Sequence, residues 1–141
     1  MATTTDRELA HLLTEVQGGI TQRLAAVLRT QSSSLEEWWV LNAISEDGGR
    51  PMNEIAEFAM LPKPSLTKLV DGMVGQNLVH RRGDVQDRRR VLLFLTARGK
   101  KKLAATKAAV AGEEASLAEL FGADQIAALR ESLGRVAVSL R

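Results

Sequence analysis

The sequence predicts a mainly α-helical protein carrying one small antiparallel β-hairpin. Three observations lead there. Stretches near both ends repeat Leu, Val and Ile at helical spacing, and only 4% of residues are aromatic although 45% are hydrophobic, a balance made of Ala and Leu. Two short runs rich in β-forming residues, Val79-His80-Arg81-Arg82 and Val91-Leu92-Leu93-Phe94-Leu95, flank a charged segment that opens with turn residues. The length of 141 residues suits one domain with one core, and small helical proteins often complete such a core by dimerising.

Taken in order, residues 6–30 carry Leu9, Leu12, Leu13, Val16, Ile20, Leu24, Val27 and Leu28, one helical stripe with Gly18-Gly19 in its middle. Paired glycines weaken a helix interior by about 1 kcal/mol each relative to Ala, so they mark a bend or the close approach of another backbone. His11 lies beside the stripe and reads as a surface or core-edge residue. Residues 31–34 form a linker. Ser34 with Glu37 three positions on makes a capping box, so a second helix starts at Leu35 and ends before Gly48-Gly49. Its apolar residues, Leu35, Trp38, Trp39, Val40, Leu41, Ala43 and Ile44, lie almost all round, which places it at the centre of the subunit. The tryptophans read first as core. Arg50-Pro51-Met52 is extended and can add a third strand to the hairpin, and Asn53 is expected to cap a short helix over 54–60.

After a turn at Leu61-Pro62-Lys63 comes a helix over about 64–76. Leu66, Leu69, Val70 and Met73 supply its single apolar stripe, Pro64 suits the first helical position, and Lys63, ahead of a proline, is expected outside helical geometry. Lys63, Ser65, Thr67 and Lys68 then face outward. Two cations and two hydroxyls on an exposed first turn suit a DNA major groove, where they can meet base edges or phosphate. Asp71, farther along, would repel phosphate and is expected to point away or to pair with an arginine. Asn77 serves as a left-handed C-terminal residue.

Charge separates the hairpin from the rest. From Val79 to Lys102 there are nine Lys/Arg against Asp84 and Asp87, a local charge of +7, whereas the whole chain is +2 and the remainder therefore −5. Segregated positive charge is the footprint of a surface that meets phosphate. Thr96 can cap a following Ala-rich helix that runs to about Leu120 and breaks at Phe121-Gly122-Ala123. A last helix over 124–141 spaces Ile126, Leu129, Leu133, Val136 and Leu140 at three and four residues, and a narrow seam at both chain ends is what a helical dimer requires.

The order helix, turn, helix, Leu-Val-x-Arg, a Gly-Asp turn, Asp87-Arg88-Arg89, then Leu95-Thr96 and Gly99 resembles the MarR family of bacterial transcription regulators. The resemblance implies a winged helix-turn-helix over residues 35–99, an N-terminal dimerisation helix within 1–34 and C-terminal dimerisation helices within 100–141, all one compact domain. It implies a homodimer that binds an inverted repeat in double-stranded DNA, acts as a repressor, and is released by a small amphipathic or aromatic ligand whose site residues are not assigned. The DNA surface would comprise Lys63, Ser65, Thr67, Lys68, Arg81, Arg82, Arg88, Arg89 and Arg90. Within it Arg89 would enter the minor groove, and Asp87 would hold the tip in shape. The dimer seam would comprise Leu9, Leu12, Leu13 and Val16 with Ile126, Leu129, Leu133, Val136 and Leu140.

Other functions are narrowed by what is missing. There is no Cys, so disulfides and thiolate metal sites are excluded. With two histidines, no Tyr, and neither a P-loop nor a dinucleotide fingerprint, catalytic residues, metal and cofactor are all expected to be none. No apolar run reaches the length of a membrane span and residues 1–6 form no signal-peptide core, so a cytoplasmic protein is expected. The rival is a helical protein-binding or dimerisation module, which would show the same seams but no steep, log-linear loss of DNA binding with salt.

Overall fold

The computed structural model describes residue 3 and residues 6–44 and 48–141. Six helices and three strands follow one another as α1 (Leu9–Thr30), α2 (Leu35–Ala43), β1 (Arg50–Pro51), α3 (Met52–Ala59), α4 (Lys63–Gly75), β2 (Val79–Gly83), β3 (Val91–Leu95), α5 (Ala97–Phe121) and α6 (Ala123–Ser139). The mainly helical class with a small antiparallel sheet is therefore what forms. Arg50-Pro51 does supply the third strand: β3 is central, with β1 and β2 antiparallel on its two sides.

The core gathers around α2, as an all-round apolar helix requires. Val40, Leu41 and Ile44 are fully buried with Ile55 and Ala59 of α3, Leu66, Val70 and Met73 of α4, and Leu93 of the sheet. Trp38 joins this core and Trp39 packs at its edge. The chain ends differ. Of α1 only Leu28 is buried, and none of the residues of α6, all of them described, is buried. Those helices hold together through packing of α1 on α5 and α5 on α6 and through exposed ion pairs such as Arg130 with Glu114.

Helix ends show where local rules hold and where they yield. Ser34 accepts a hydrogen bond from the Glu37 amide at 3.1 Å, as the capping box requires. The Glu37 carboxylate, however, turns away from the cap to Lys102 Nζ at 2.6 Å and approaches Ser33 Oγ at 3.4 Å. Lys102 also donates to the Ser32 carbonyl at 2.9 Å, so one lysine ties the α1–α2 corner to α5. Asn53 is not the cap of α3. Pairing of Pro51 with Leu92 fixes the backbone one residue earlier, and the helix starts at Met52 with Asn53 already inside its first turn. Lys63 is likewise helical: Pro62 takes the extended N-cap conformation and Pro64 sits in the first turn, where its missing N–H costs nothing. The first helix begins at Leu9 and runs without interruption through Gly18-Gly19.

The α4–β2 and β3–α5 corners are fastened to each other. Asn77 takes the left-handed conformation expected of it, at φ 58°. Its carbonyl accepts a hydrogen bond from Thr96 Oγ1 at 2.6 Å, while Thr96 Oγ1 itself accepts from the Gly99 amide at 2.9 Å and so caps α5. The Thr96 amide in turn donates to the Leu78 carbonyl at 3.1 Å. A Cβ on Gly99 would lie 1.9 Å from that carbonyl oxygen, so the Leu-Thr-x-x-Gly spacing is set by an approach only glycine permits.

Candidate nucleic-acid interface

With Leu66, Val70 and Met73 buried, the opposite side of α4 is left to solvent, and Lys63, Ser65, Thr67 and Lys68 are all exposed there. They divide over two flanks. Lys63, Thr67 and Asp71, spaced four apart, line a groove of about 990 Å³ between α4 and the hairpin. Ser65 and Lys68 line a shallower cleft of about 420 Å³ on the other side, with Glu37 of α2 at its back. Thr67 Oγ1 donates to the Lys63 carbonyl at 3.0 Å, which leaves its lone pairs for a donor outside.

The hairpin closes the groove from across the way. In β2, Val79 pairs with Leu95, Arg81 with Leu93 and Gly83 with Val91, so alternate residues point to opposite faces. Arg81 points to α4 and joins the groove. Arg82 does not: it lies on the other face, its guanidinium 5.1 Å from the centre of the Phe94 ring, against which His80 also stacks at 5.4 Å. Gly49 leaves room for that ring, since a Cβ there would sit 2.6 Å from it.

The tip is built from two aspartates. Asp84 Oδ1 accepts from the Gln86 amide at 2.9 Å and Asp87 Oδ1 from the Arg89 amide at 3.0 Å, while the Arg90 amide donates to the Asp87 carbonyl and the Asp84 amide to the Arg90 carbonyl. These aspartate turns fix a seven-residue loop that has no core of its own. Asp87 thus sets the backbone that carries Arg88, Arg89 and Arg90, all three exposed. Arg89 and Arg90 line the groove opposite Lys63 and Thr67, and Arg88 projects from the tip.

Asp71 meets the expected arginine. Its Oδ1 is 2.5 Å from Arg81 Nη2, which also reaches the Thr67 carbonyl at 3.5 Å. The groove therefore holds four cations, Lys63, Arg81, Arg89 and Arg90, with Asp71 and Glu54 as its acids, and Glu54 is 3.8 Å from Arg50.

Two features of this region escaped the reading of the sequence, and only the first was out of its reach. The lock from Lys102 to Glu37 and Ser32 joins positions about seventy residues apart, and the capping-box spacing pointed to a different partner for Glu37. The separation of Arg82 from Arg81 was open to strand alternation alone. The expected seam residues are presented outward: Leu9, Leu13, Val16, Leu129, Leu133, Val136 and Leu140 are exposed, whereas Leu12 and Ile126 are half-buried.

Comparison with known proteins bears on this arrangement. Residues 33–90, from the linker before α2 to the last arginine of the tip, match the family model described as the MarR family. The HTH-type transcriptional regulator FarR of Neisseria gonorrhoeae is 23% identical over 125 residues, which cover 89% of this chain and 86% of FarR. Among solved structures, the transcriptional repressor CouR, bound to a 23-mer DNA duplex, superposes with a TM-score of 0.86 at 28% identity over 92% of each chain. NadR in complex with 4-hydroxyphenylacetate superposes with a TM-score of 0.79 at 23% identity, covering 97% of this chain and 98% of NadR. The matched segment is the one that builds the groove, and the likeness in structure extends over both terminal arms. Residues 33–90 are thus similar to the MarR family of transcription regulators, and the whole chain shares the winged helix-turn-helix fold of its solved neighbours.

Proposed function

We propose that the protein is a cytoplasmic repressor, without catalytic activity, that binds an inverted repeat in duplex DNA as a homodimer and lets go when a small amphipathic or aromatic ligand binds. The observation that carries the reading is the shared groove: cations from the first turn of α4 and from the hairpin tip face a common space. In the proposed complex α4 enters the major groove, where Lys63, Ser65, Thr67 and Lys68 meet base edges and phosphate. Arg89 enters the adjacent minor groove, whose negative potential is deepest over narrow A·T-rich sequence. Arg88 and Arg90 take phosphates on either side, and Arg82 adds field from the far face of the sheet. The likeness to CouR, whose structure holds DNA, supports this docking.

Homodimerisation is supported by the unburied seams of α1 and α6 and by the likeness to the MarR family. A two-fold axis would present two α4 helices to major grooves one turn apart, roughly 34 Å, and so demands an inverted repeat. Release by a ligand is supported by the likeness to NadR, which was solved with 4-hydroxyphenylacetate. A ligand achieves release only through tighter binding to the dimer whose reading heads are wrongly spaced.

Sites selected from a random duplex pool, followed by anisotropy titrations, test the proposal. Arg89→Ala is expected to weaken binding chiefly at sites with A·T-rich flanks. Lys68→Ala should cost about 1–3 kcal/mol at one base position if it contacts a base, or act alike on every sequence if it meets phosphate. Wild-type affinity in both variants would refute the docking. A protein-binding module would give a flat response to salt, where this reading expects about 0.9 log unit per phosphate contact for each tenfold rise.

A further inference from the structure

Asp71 sits where a DNA-binding surface should least tolerate it, on the outward half of α4 and 62% exposed at its side chain. It is not there to hold the helix: α4 is packed through Leu66, Val70 and Met73 on the other side. Nor is it spread over several partners. Its carboxylate meets Arg81 Nη2 at 2.5 Å, and the Thr67 carbonyl completes the seat of that guanidinium at 3.5 Å. Arg81 is carried by a strand in register with buried Leu93, whereas Arg89 and Arg90 belong to the tip.

We infer that Asp71 is a specificity-determining residue that acts as a built-in substitute for phosphate. It occupies Arg81 and so removes one cation that would otherwise grip any DNA backbone, the pair adding no net charge to the groove. Held this way, Arg81 positions the hairpin against α4 instead of adding sequence-independent affinity. At a selected site base contacts fix the register, so a freed Arg81 gains a phosphate only where that register offers one, whereas on unrelated DNA the protein can settle in whichever register lets Arg81 reach one. Removing the charge of Asp71 should accordingly strengthen binding to the wrong DNA more than to the right DNA.

The inference rests on the DNA-binding reading above, and the test separates the two. Asp71→Asn keeps the shape and a hydrogen-bond acceptor for Arg81 at an exposed position, so circular dichroism and thermal melting should match the wild type. Affinity is then measured for a selected site and for a duplex of scrambled sequence between 50 and 300 mM salt. Release of Arg81 to one phosphate is expected to steepen the salt slope on scrambled DNA by about 0.9 and to tighten that binding about eight-fold at 0.1 M, with a smaller gain at the selected site. Discrimination therefore falls. Arg81→Ala, which leaves Asp71 unneutralised, is expected to weaken both duplexes and to cancel the gain when combined with Asp71→Asn. Unchanged slope and affinity on scrambled DNA, or equal gains on both duplexes, would overturn the inference and leave the docking intact. If the wild type binds neither duplex, the docking falls and this role falls with it.

Discussion

Replacing Gly99 by Ala tests how the hairpin base is joined to α5, and its sign is informative. Inside an exposed helix this substitution stabilises by roughly 0.8–1.0 kcal/mol, because Gly is the poorer helix former. At Gly99 the added Cβ would stand 1.9 Å from the Leu78 carbonyl oxygen and 3.0 Å from its carbon. An ordinary carbon–oxygen contact is near 3.4 Å, so α5 has to retreat by about 1.5 Å from a backbone atom that cannot rotate aside. That retreat strains the Thr96 amide bond to Leu78 at 3.1 Å and the hydroxyl bond to Asn77 at 2.6 Å. Overpacking costs about 1–3 kcal/mol and each of the two hydrogen bonds lost adds about 0.5–1.5 kcal/mol, which together, less the helix-propensity gain, give about 1–5 kcal/mol of destabilisation. Gly112→Ala is the companion, since a Cβ there would meet no described atom within 4 Å. Urea unfolding at fixed protein concentration should lower the midpoint of the first variant and leave that of the second equal or higher. Equal midpoints, or stabilisation by Gly99→Ala, would refute the close-approach account of the Leu-Thr-x-x-Gly motif.

Two other substitutions probe the frame around the site. Lys102→Met strips the partner from a Glu37 side chain that is only 9% exposed, at an expected cost of about 2–4 kcal/mol in urea unfolding, and Glu37→Gln in the same chain should restore most of it. Charge placed on the α6 seam by Leu129→Glu with Leu133→Glu should leave α2–α4 and the sheet folded but halve the mass seen by light scattering, with loss of tight binding to a two-half-site duplex and little change on a single half-site.

What the chain discloses on its own is what lies close in sequence or repeats with a period. The apolar stripe of α4, the all-round burial of α2, the turn aspartates of the tip and the Thr96 cap are decided by neighbours a few residues away, and each was legible. Asn53 misled because its own preference for a cap was overruled by strand pairing at Pro51, a contact with residues some forty positions on. The capping box at Ser34 was half right for a similar reason. The amide bond is local and formed, but the carboxylate found a stronger partner in Lys102. Counting arginines predicted a cationic hairpin without telling its faces apart, and the pleat then sends Arg81 to α4 and Arg82 to Phe94. The pairing of Asp71 with an arginine was foreseeable from the cost of leaving an acid on such a surface. Which arginine answered depended on the register of β2.

The unburied apolar seam of α6 has a thermodynamic corollary. A segment with no residue fully buried by its own chain owes much of its order to a partner laid against its seam, so its free energy of folding carries a mass-action term in protein concentration. The head formed by α2, α3, α4 and the sheet, closed by Leu28 of α1 and Leu103 of α5, has a buried interior within one chain and depends far less on that term. Dilution should loosen the arms long before the head, and amide exchange in α6 should quicken as the protein is diluted while exchange in α2 keeps its rate.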